Sequence, residues 1–334
     1  MYRKTVSILF VVTLMLSVSV IAQNREAQKA AYDSYQAKLK AAENYEEKIK
    51  LSGDFVNNNP GSSYVVSAFR FIKDDVLAAD GNADRAVELI NGLMPKLTAP
   101  NSQNFAKFIL LQCYGKSSNS GNFQKVAEEF LASVDRNKGF YMRSVAKSAV
   151  SCKEFDYALT LLDKAEELYK KDAEEKTDRQ RDFALRLLSG VVADKGCALS
   201  AAGRYKEAIV QFERAAKKSD TDVLGMPQLL SSVEGEPLHY WGLALKETGD
   251  VARGTDYMAY AALIKRNDEA QADLKKLYSE VKGNADNFAQ YLTSKHDELS
   301  KPVPNFTLND LKGNKVSSQT FKDRVTLIYI WSHT

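Results

Sequence analysis

Several stretches of this chain repeat one arrangement of small and large side chains, and that arrangement restricts the fold to closely packed helical pairs. The clearest copy is 191–217, VVADKGCALSAAGRYKEAIVQFERAAK. Gly196 falls inside the first of two helical patterns, where backbones must approach. Gly203 falls between them, where a turn is needed. Tyr205 packs beside that turn. Ala208, Phe212 and Ala215 follow at intervals of four and three, which sets them on one face of the second helix. That face is small where helices cross and large where a gap needs filling.

The pattern recurs along the chain. In 238–262, Trp241, Gly242, Leu245, Gly249, Gly254, Met258 and Ala261 stand at the matching places. In 142–169, Ala146 and Ala149 precede Phe155, Ala158, Leu162 and Ala165. A weaker copy at 105–135 carries Gly121, Phe123, Val126 and Phe130, and a faint one at 66–94 carries Ala86 and Ile90. Val126 and Ala158 are 32 residues apart, Ala158 and Ala208 are 50, and Ala208 and Gly254 are 46. The residues resemble the tetratricopeptide repeat, whose period is about 34; the first spacing is close to it and the other two exceed it. The resemblance implies an α-solenoid of helical hairpins that presents a concave surface to a protein or peptide partner.

The excess between the third and fourth copies falls in 166–187, EELYKKDAEEKTDRQRDFALRL, where both flanking helices are lengthened and the charge run reads as solvated surface. The next excess, 219–237, is rich in Gly, Pro and Ser and reads as a loop with one helical turn near 227–233. Before the repeats, Asn24 to Asn59 reads as two helices stopped by NNNPG, with another from about Ser62 to Ala79 and a turn at DGNAD, 80–84. After them, Leu263 to Val281 continues as a helix, and Asn284 to Leu299 forms one more, with Phe288, Tyr291, Leu292 and Leu299 inward.

The first 22 residues stand apart. Arg3 and Lys4 precede a run from Val6 to Val20 that is nearly all apolar, and Val20 and Ala22 supply a small-residue cleavage site before Gln23. This is the pattern of a secretory signal peptide, with an uncleaved anchor as the alternative. No later stretch is apolar enough to cross a bilayer. The expected location is the periplasm or cell envelope. The 46 basic and 43 acidic side chains are interspersed and leave a formal net charge of +3, a balance that argues against nucleic acid as a partner.

Cys113, Cys152 and Cys197 form no CxxC and share no metal-like spacing with a His. Each sits in an apolar helical pattern, as a buried core thiol would. A disulfide between Cys113 and Cys152 is the alternative reading. His239, His296 and His333 are far apart, and His239, beside Tyr240 and Trp241, reads as packing on the last repeat. Glu128–Glu129 and Glu166–Glu167 read as solvated helix surface. No GxxxxGK[ST], GxSxG, HExxH or Ca²⁺-loop pattern occurs. No residue is assigned as catalytic, cofactor-binding or metal-ligating, and no cofactor is expected.

The segment from Pro302 to Thr334 changes character. Asn305 to Leu308 alternates like a strand, with Phe306 and Leu308 on one face. LKGNKV at 311–316 is a hairpin-type turn with Gly313 at its tip, and Phe321 to Arg324 is a second turn. RVTLIYIW, 324–331, is β-branched and aromatic, as a strand buried on both faces would be. The layout resembles PxFxLxDxxGxxxxLxxxxGKxxLxxFWATWC of the TlpA-like thiol-disulfide oxidoreductases and related AhpC-TSA redoxins. Pro304, Phe306, Leu308, Asp310, Gly313, Leu327 and Trp331 fall in place. Val316 and Phe321 supply the apolar positions between, and Ile330 replaces Phe. DR at 323–324 stands where GK is usual, and SHT at 332–334 stands where ATW is usual.

The resemblance implies a thioredoxin-like α/β domain whose nucleophilic cysteine follows Thr334, at a helix N-terminus that stabilises the thiolate. His333 would lie near that thiol, or be an ordinary loop residue. A hydrophobic hairpin with no redox role is the alternative for the segment. The chain therefore divides into a leader at 1–22, a helical region at 23–104, repeats at 105–283, a linker helix at 284–301 and an incomplete thioredoxin-like domain at 302–334. The fold class is mainly α, followed by the opening of an α/β domain. The leading functional expectation is an exported thiol-disulfide oxidoreductase that binds protein through its repeats. A non-enzymatic scaffold is the alternative, and a peroxiredoxin-like peroxidase is a near variant.

Overall fold

The computed structural model describes residues 25–80, 83–117, 121–217, 229, 237–299, 305–310 and 312–321. The described residues fall into two compact units, one up to Leu274 and one from Lys275 onward. The leader, the turn residues 81–82, most of the 219–237 loop, the strand at 324–331 and His333 lie outside the described residues.

The first unit is helical throughout. Helix α1 covers residues 25–41, and α2 runs Tyr45–Asn58. These are followed by α3 (Val65–Asp80), α4 (Ala83–Leu93), a short 3₁₀ turn at Met94–Lys96, and α5 (Pro100–Tyr114). Next come α6 (Phe123–Ala132), α7 (Lys138–Ser151), α8 (Phe155–Glu175) and α9 (Asp178–Ala201). The last are α10 (Tyr205–Ala216), α11 (Pro237–Glu247), α12 (Val251–Leu263) and α13 (Asp268–Lys282), which carries the unit boundary. From α2 to α12 each helix packs on the next. In addition α3, α5, α7, α9 and α11 pack on one another in succession. All five sequence copies fall on hairpins of this stack, from α3/α4 to α11/α12.

Three hairpins share one turn. The N–H groups of Glu154, Arg204 and Asp250 donate to the carbonyls of Ala149, Leu199 and Leu245, five residues back. Those of Lys153, Gly203 and Gly249 donate to Val150, Ser200 and Lys246, three residues back. This is the Schellman closure, and it requires a left-handed residue, here Lys153 (φ 63°), Gly203 (φ 75°) and Gly249 (φ 97°). Counting from that residue, the crossing positions coincide in all three: Ala146 and Ala158, Gly196 and Ala208, Gly242 and Gly254. All six are buried.

The glycines at these crossings differ in what they admit. A Cβ on Gly196 would lie 2.6 Å from the Phe212 ring, so here a side chain, not a backbone, fills the space, contrary to the sequence expectation. The Phe212 ring in turn stacks on Trp241 of the next hairpin, with ring centroids 5.6 Å apart. In α6 the register slips by one. Ala127, Phe130 and Leu131 are buried where Ala158, Leu161 and Leu162 are buried in α8, so Val126 is not the crossing residue. The shift accompanies a different backbone at the α6 entry, with ψ 5° at Asn122 against 59°, 57° and 65° at Glu154, Arg204 and Asp250.

Other boundaries also depart from expectation. Leu263 to Val281 is not one helix. Arg266 is left-handed (φ 55°), and the Asn267 side chain accepts from the Ala270 N–H at 2.8 Å, starting α13 afresh. The lengthening of the helices around 166–187 is present: α8 has 21 residues and α9 has 24.

In the second unit, α14 runs Phe288–Leu299, four residues later than Asn284, whose side chain instead closes a turn with the Asp286 N–H. Phe288 is buried and packs with Tyr278 and Tyr291. Strands β1 (Thr307–Asn309) and β2 (Lys315–Ser317) pair antiparallel, with Leu308 opposite Val316. Gly313 is left-handed (φ 84°). The Asp310 carboxylate accepts from the N–H groups of Lys312 and Asn314, each at 2.8 Å, which fixes the turn. Phe306 is half-buried and Leu308 exposed.

Candidate functional site

All three cysteines are free. Cys113 in α5 and Cys197 in α9 are buried, and Cys152 at the end of α7 is half-buried. Its S–H donates to the Tyr114 carbonyl at 3.3 Å. Burial pushes the Cys113 thiol up to about 12. Burial, with the Glu154 charge, pushes Cys152 up to about 11. A thiol so far above its ordinary value is protonated near neutrality and is a poor nucleophile.

The histidines are separate. His239 is buried on α11 with Nε2 2.8 Å from the Asp273 carboxylate, and its Nδ1 has no hydrogen-bond partner. His296 is exposed on α14. Among the described residues no group of three or more His, Cys, Asp or Glu side chains could hold a metal, and no helix is long and apolar enough to cross a membrane.

The paired carboxylates divide. Glu128, Glu129 and Glu167 are exposed, as expected. Glu166 is not solvated: it is buried, and three cations converge on it. Lys170 lies at 2.7 Å, Arg214 at 2.8 Å, and Lys195 closer still, with Lys195 also bonded to Asp163. Burial pushes this carboxyl up. Hydrogen bonds from Lys170, Lys195 and Arg214, together with the Lys195 charge, outweigh that and bring it down to about 2. The cluster clamps α8 to α9 and α10. A second buried pair, Arg143 Nε to Asp194 at 2.7 Å, ties α7 to α9. Helical periodicity placed Glu166 beside Glu167 but could not show that α9 and α10 bring cations to one of them only.

The α7 N-terminus lies against the end of α8, and a cleft of about 1020 Å³ is lined by these two and the start of α9. Arg136 comes from the turn before α7, and Lys138 and Phe140 from its first turn. Leu168, Tyr169, Asp172 and Lys176 come from the end of α8, and Arg179, Phe183 and Leu187 from the start of α9. Gly139 lets the Tyr169 ring lie against the first turn of α7, since a Cβ there would meet the ring at 2.8 Å. Phe140 is 54% exposed, Phe183 61% and Leu168 37%. Large side chains this exposed on neighbouring elements mark a surface available for binding. The sequence signal was Phe183 within the charged run DRQRDFALR, an apolar residue on an otherwise polar face.

No protein-family model matches this chain, and no curated protein matches it.

Proposed function

We propose that this chain belongs to an exported thiol-disulfide oxidoreductase. In this reading an α-solenoid of tetratricopeptide-like hairpins holds a protein or peptide on its concave face. A thioredoxin-like domain beginning near Pro302 exchanges disulfides in what is held. The observation that carries the redox half is the β1–β2 hairpin. Its turn uses Asp310 and Gly313, the Asp and Gly of the resemblance, the one as acceptor of the turn's N–H groups and the other as its left-handed residue. The binding half is supported by the thrice-repeated hairpin turn and the succession of packed odd-numbered helices.

The reactive pair of such an enzyme is a low-pKa cysteine and a resolving partner, and the raised thiols of Cys113 and Cys152 do not suit that role. The second reading is a scaffold without redox activity of its own. Insulin-disulfide reduction separates the two. The 334-residue chain is expected to be inactive. A chain extended through the downstream coding sequence is expected to reduce insulin and to lose that activity when cysteines encoded after Thr334 are changed to Ser. An inactive extended chain overturns the redox half and leaves the scaffold.

A further inference from the structure

The cleft between α7, α8 and α9 has a chemical bias that names its ligand. Four cations line it, Arg136, Lys138, Lys176 and Arg179, against one acid, Asp172. Asp172 is engaged by Lys176 at 2.9 Å. Among the described residues no salt bridge engages Arg136, Lys138 or Arg179, and the four cations against one acid leave the cleft lining with a net charge of +3. The helix start at Lys138 adds to this, since Asn137 does not cap it with a side-chain hydrogen bond and such a start favours a negative ligand.

Charge alone would suit any anion, and the aromatic groups narrow the choice. Phe140 and Phe183 are both more than half exposed, and both line the cleft. A small anion would gain nothing from them. A volume near 1020 Å³ lies at the top of the range for ligand pockets and has room for a few residues of peptide with one or two large side chains. The cavity is bounded by three helix ends and does not track along the array, which is unlike the long grooves that follow a nucleic-acid backbone.

We propose that this cleft binds an acidic peptide segment, the carboxylates meeting Arg136, Lys138 and Arg179 and an aromatic or large aliphatic side chain lying against Phe140 and Phe183. The assignment rests on the binding half of the function proposed above and is independent of the redox half.

The test uses the full chain and a short fluorescein-labelled peptide of alternating Glu and Phe, followed by fluorescence anisotropy. Saturable binding that weakens as salt is raised is expected. Replacing the peptide's Glu by Lys, or its Phe by Ser, should remove most of it. In the protein, R136E/R179E and, separately, F183S should each weaken binding by about tenfold or more. All three positions are exposed, so circular dichroism should be unchanged, which confirms that the variants fold. The assignment is overturned by absence of saturable binding, by equal binding of the Lys-for-Glu peptide, or by tighter binding of a labelled oligothymidylate. It is also overturned if the peptide binds but both protein variants leave its affinity unchanged. That last result would keep a peptide-binding array and move its site elsewhere, whereas loss of redox activity in the extended chain would leave this test untouched.

Discussion

Gly242 and Gly254 bring α11 and α12 together backbone to backbone. A Cβ on Gly242 would lie 2.8 Å from the Gly254 carbonyl oxygen, and one on Gly254 would lie 2.6 Å from that of Gly242. Neither oxygen can swing aside as a side chain can. Gly242→Ala and Gly254→Ala should each cost about 1–3 kcal/mol in urea denaturation, the usual range for an overfilled interior. Gly53, in the middle of α2, meets nothing within 4 Å, and Gly53→Ala should stabilise by about 0.5–1 kcal/mol because alanine is the better helix former. Equal effects at the two kinds of site would refute the close crossing.

The left-handed position of the shared turn makes a second prediction. Lys153 holds φ 63° where the other two hairpins have glycine. Lys153→Gly removes the side-chain penalty and, after the greater freedom of glycine in the unfolded chain, should gain about 0.5–1 kcal/mol. Gly203→Ala, at φ 75° with open space around it, should lose about 1 kcal/mol from backbone strain alone. Urea midpoints compare them directly.

Glu166 ties stability to pH. Its carboxyl is brought from an ordinary 4.5 down to about 2 in the folded chain. A depressed carboxylate contributes its full stability above the unfolded value and loses it as pH falls through the folded value. Glu166→Gln should therefore be destabilising at pH 7, by about 2 kcal/mol. That lies between the figures for exposed and buried pairs, since Lys170 and Arg214 are about half exposed while Lys195 is not. The gap from wild type should close between about pH 4.5 and 2. A gap constant across that range would show that the cations do not stabilise this carboxylate.

The thiols give a fourth prediction. Folded protein should react slowly with a disulfide reagent at pH 8, with half-buried Cys152 modified before Cys113 and Cys197. Denatured protein should release three thiols at once. Rapid reaction of Cys113 in the folded state would contradict its burial.

Much of the architecture was legible because it depends on spacing. Gly203, Gly249, Ala208, Phe212 and Met258 announced a turn, a crossing and a filled gap in fixed order, and the hairpins follow. Spacing also fixed the Gly313 turn, since a left-handed tip is a local requirement. What spacing could not supply depends on which helices meet. Glu166 looked like Glu167, and only the approach of α9 and α10 separates a clamped carboxylate from a solvated one. Lys153 hid a turn that the closure imposes on a residue ill suited to it. Phe183 stood out in the sequence as an apolar residue in a charged run, but the cleft did not, because Phe140 lies 43 residues away and the two line it together only where α7, α8 and α9 meet.

The most direct test of the redox proposal is to read the coding DNA past the codon for Thr334. An in-frame Cys-x-x-Cys is expected directly after it, followed by enough sequence to complete a thioredoxin-like sheet. Codons that continue or stop without a cysteine at that place would contradict the oxidoreductase and leave a helical array whose work is binding.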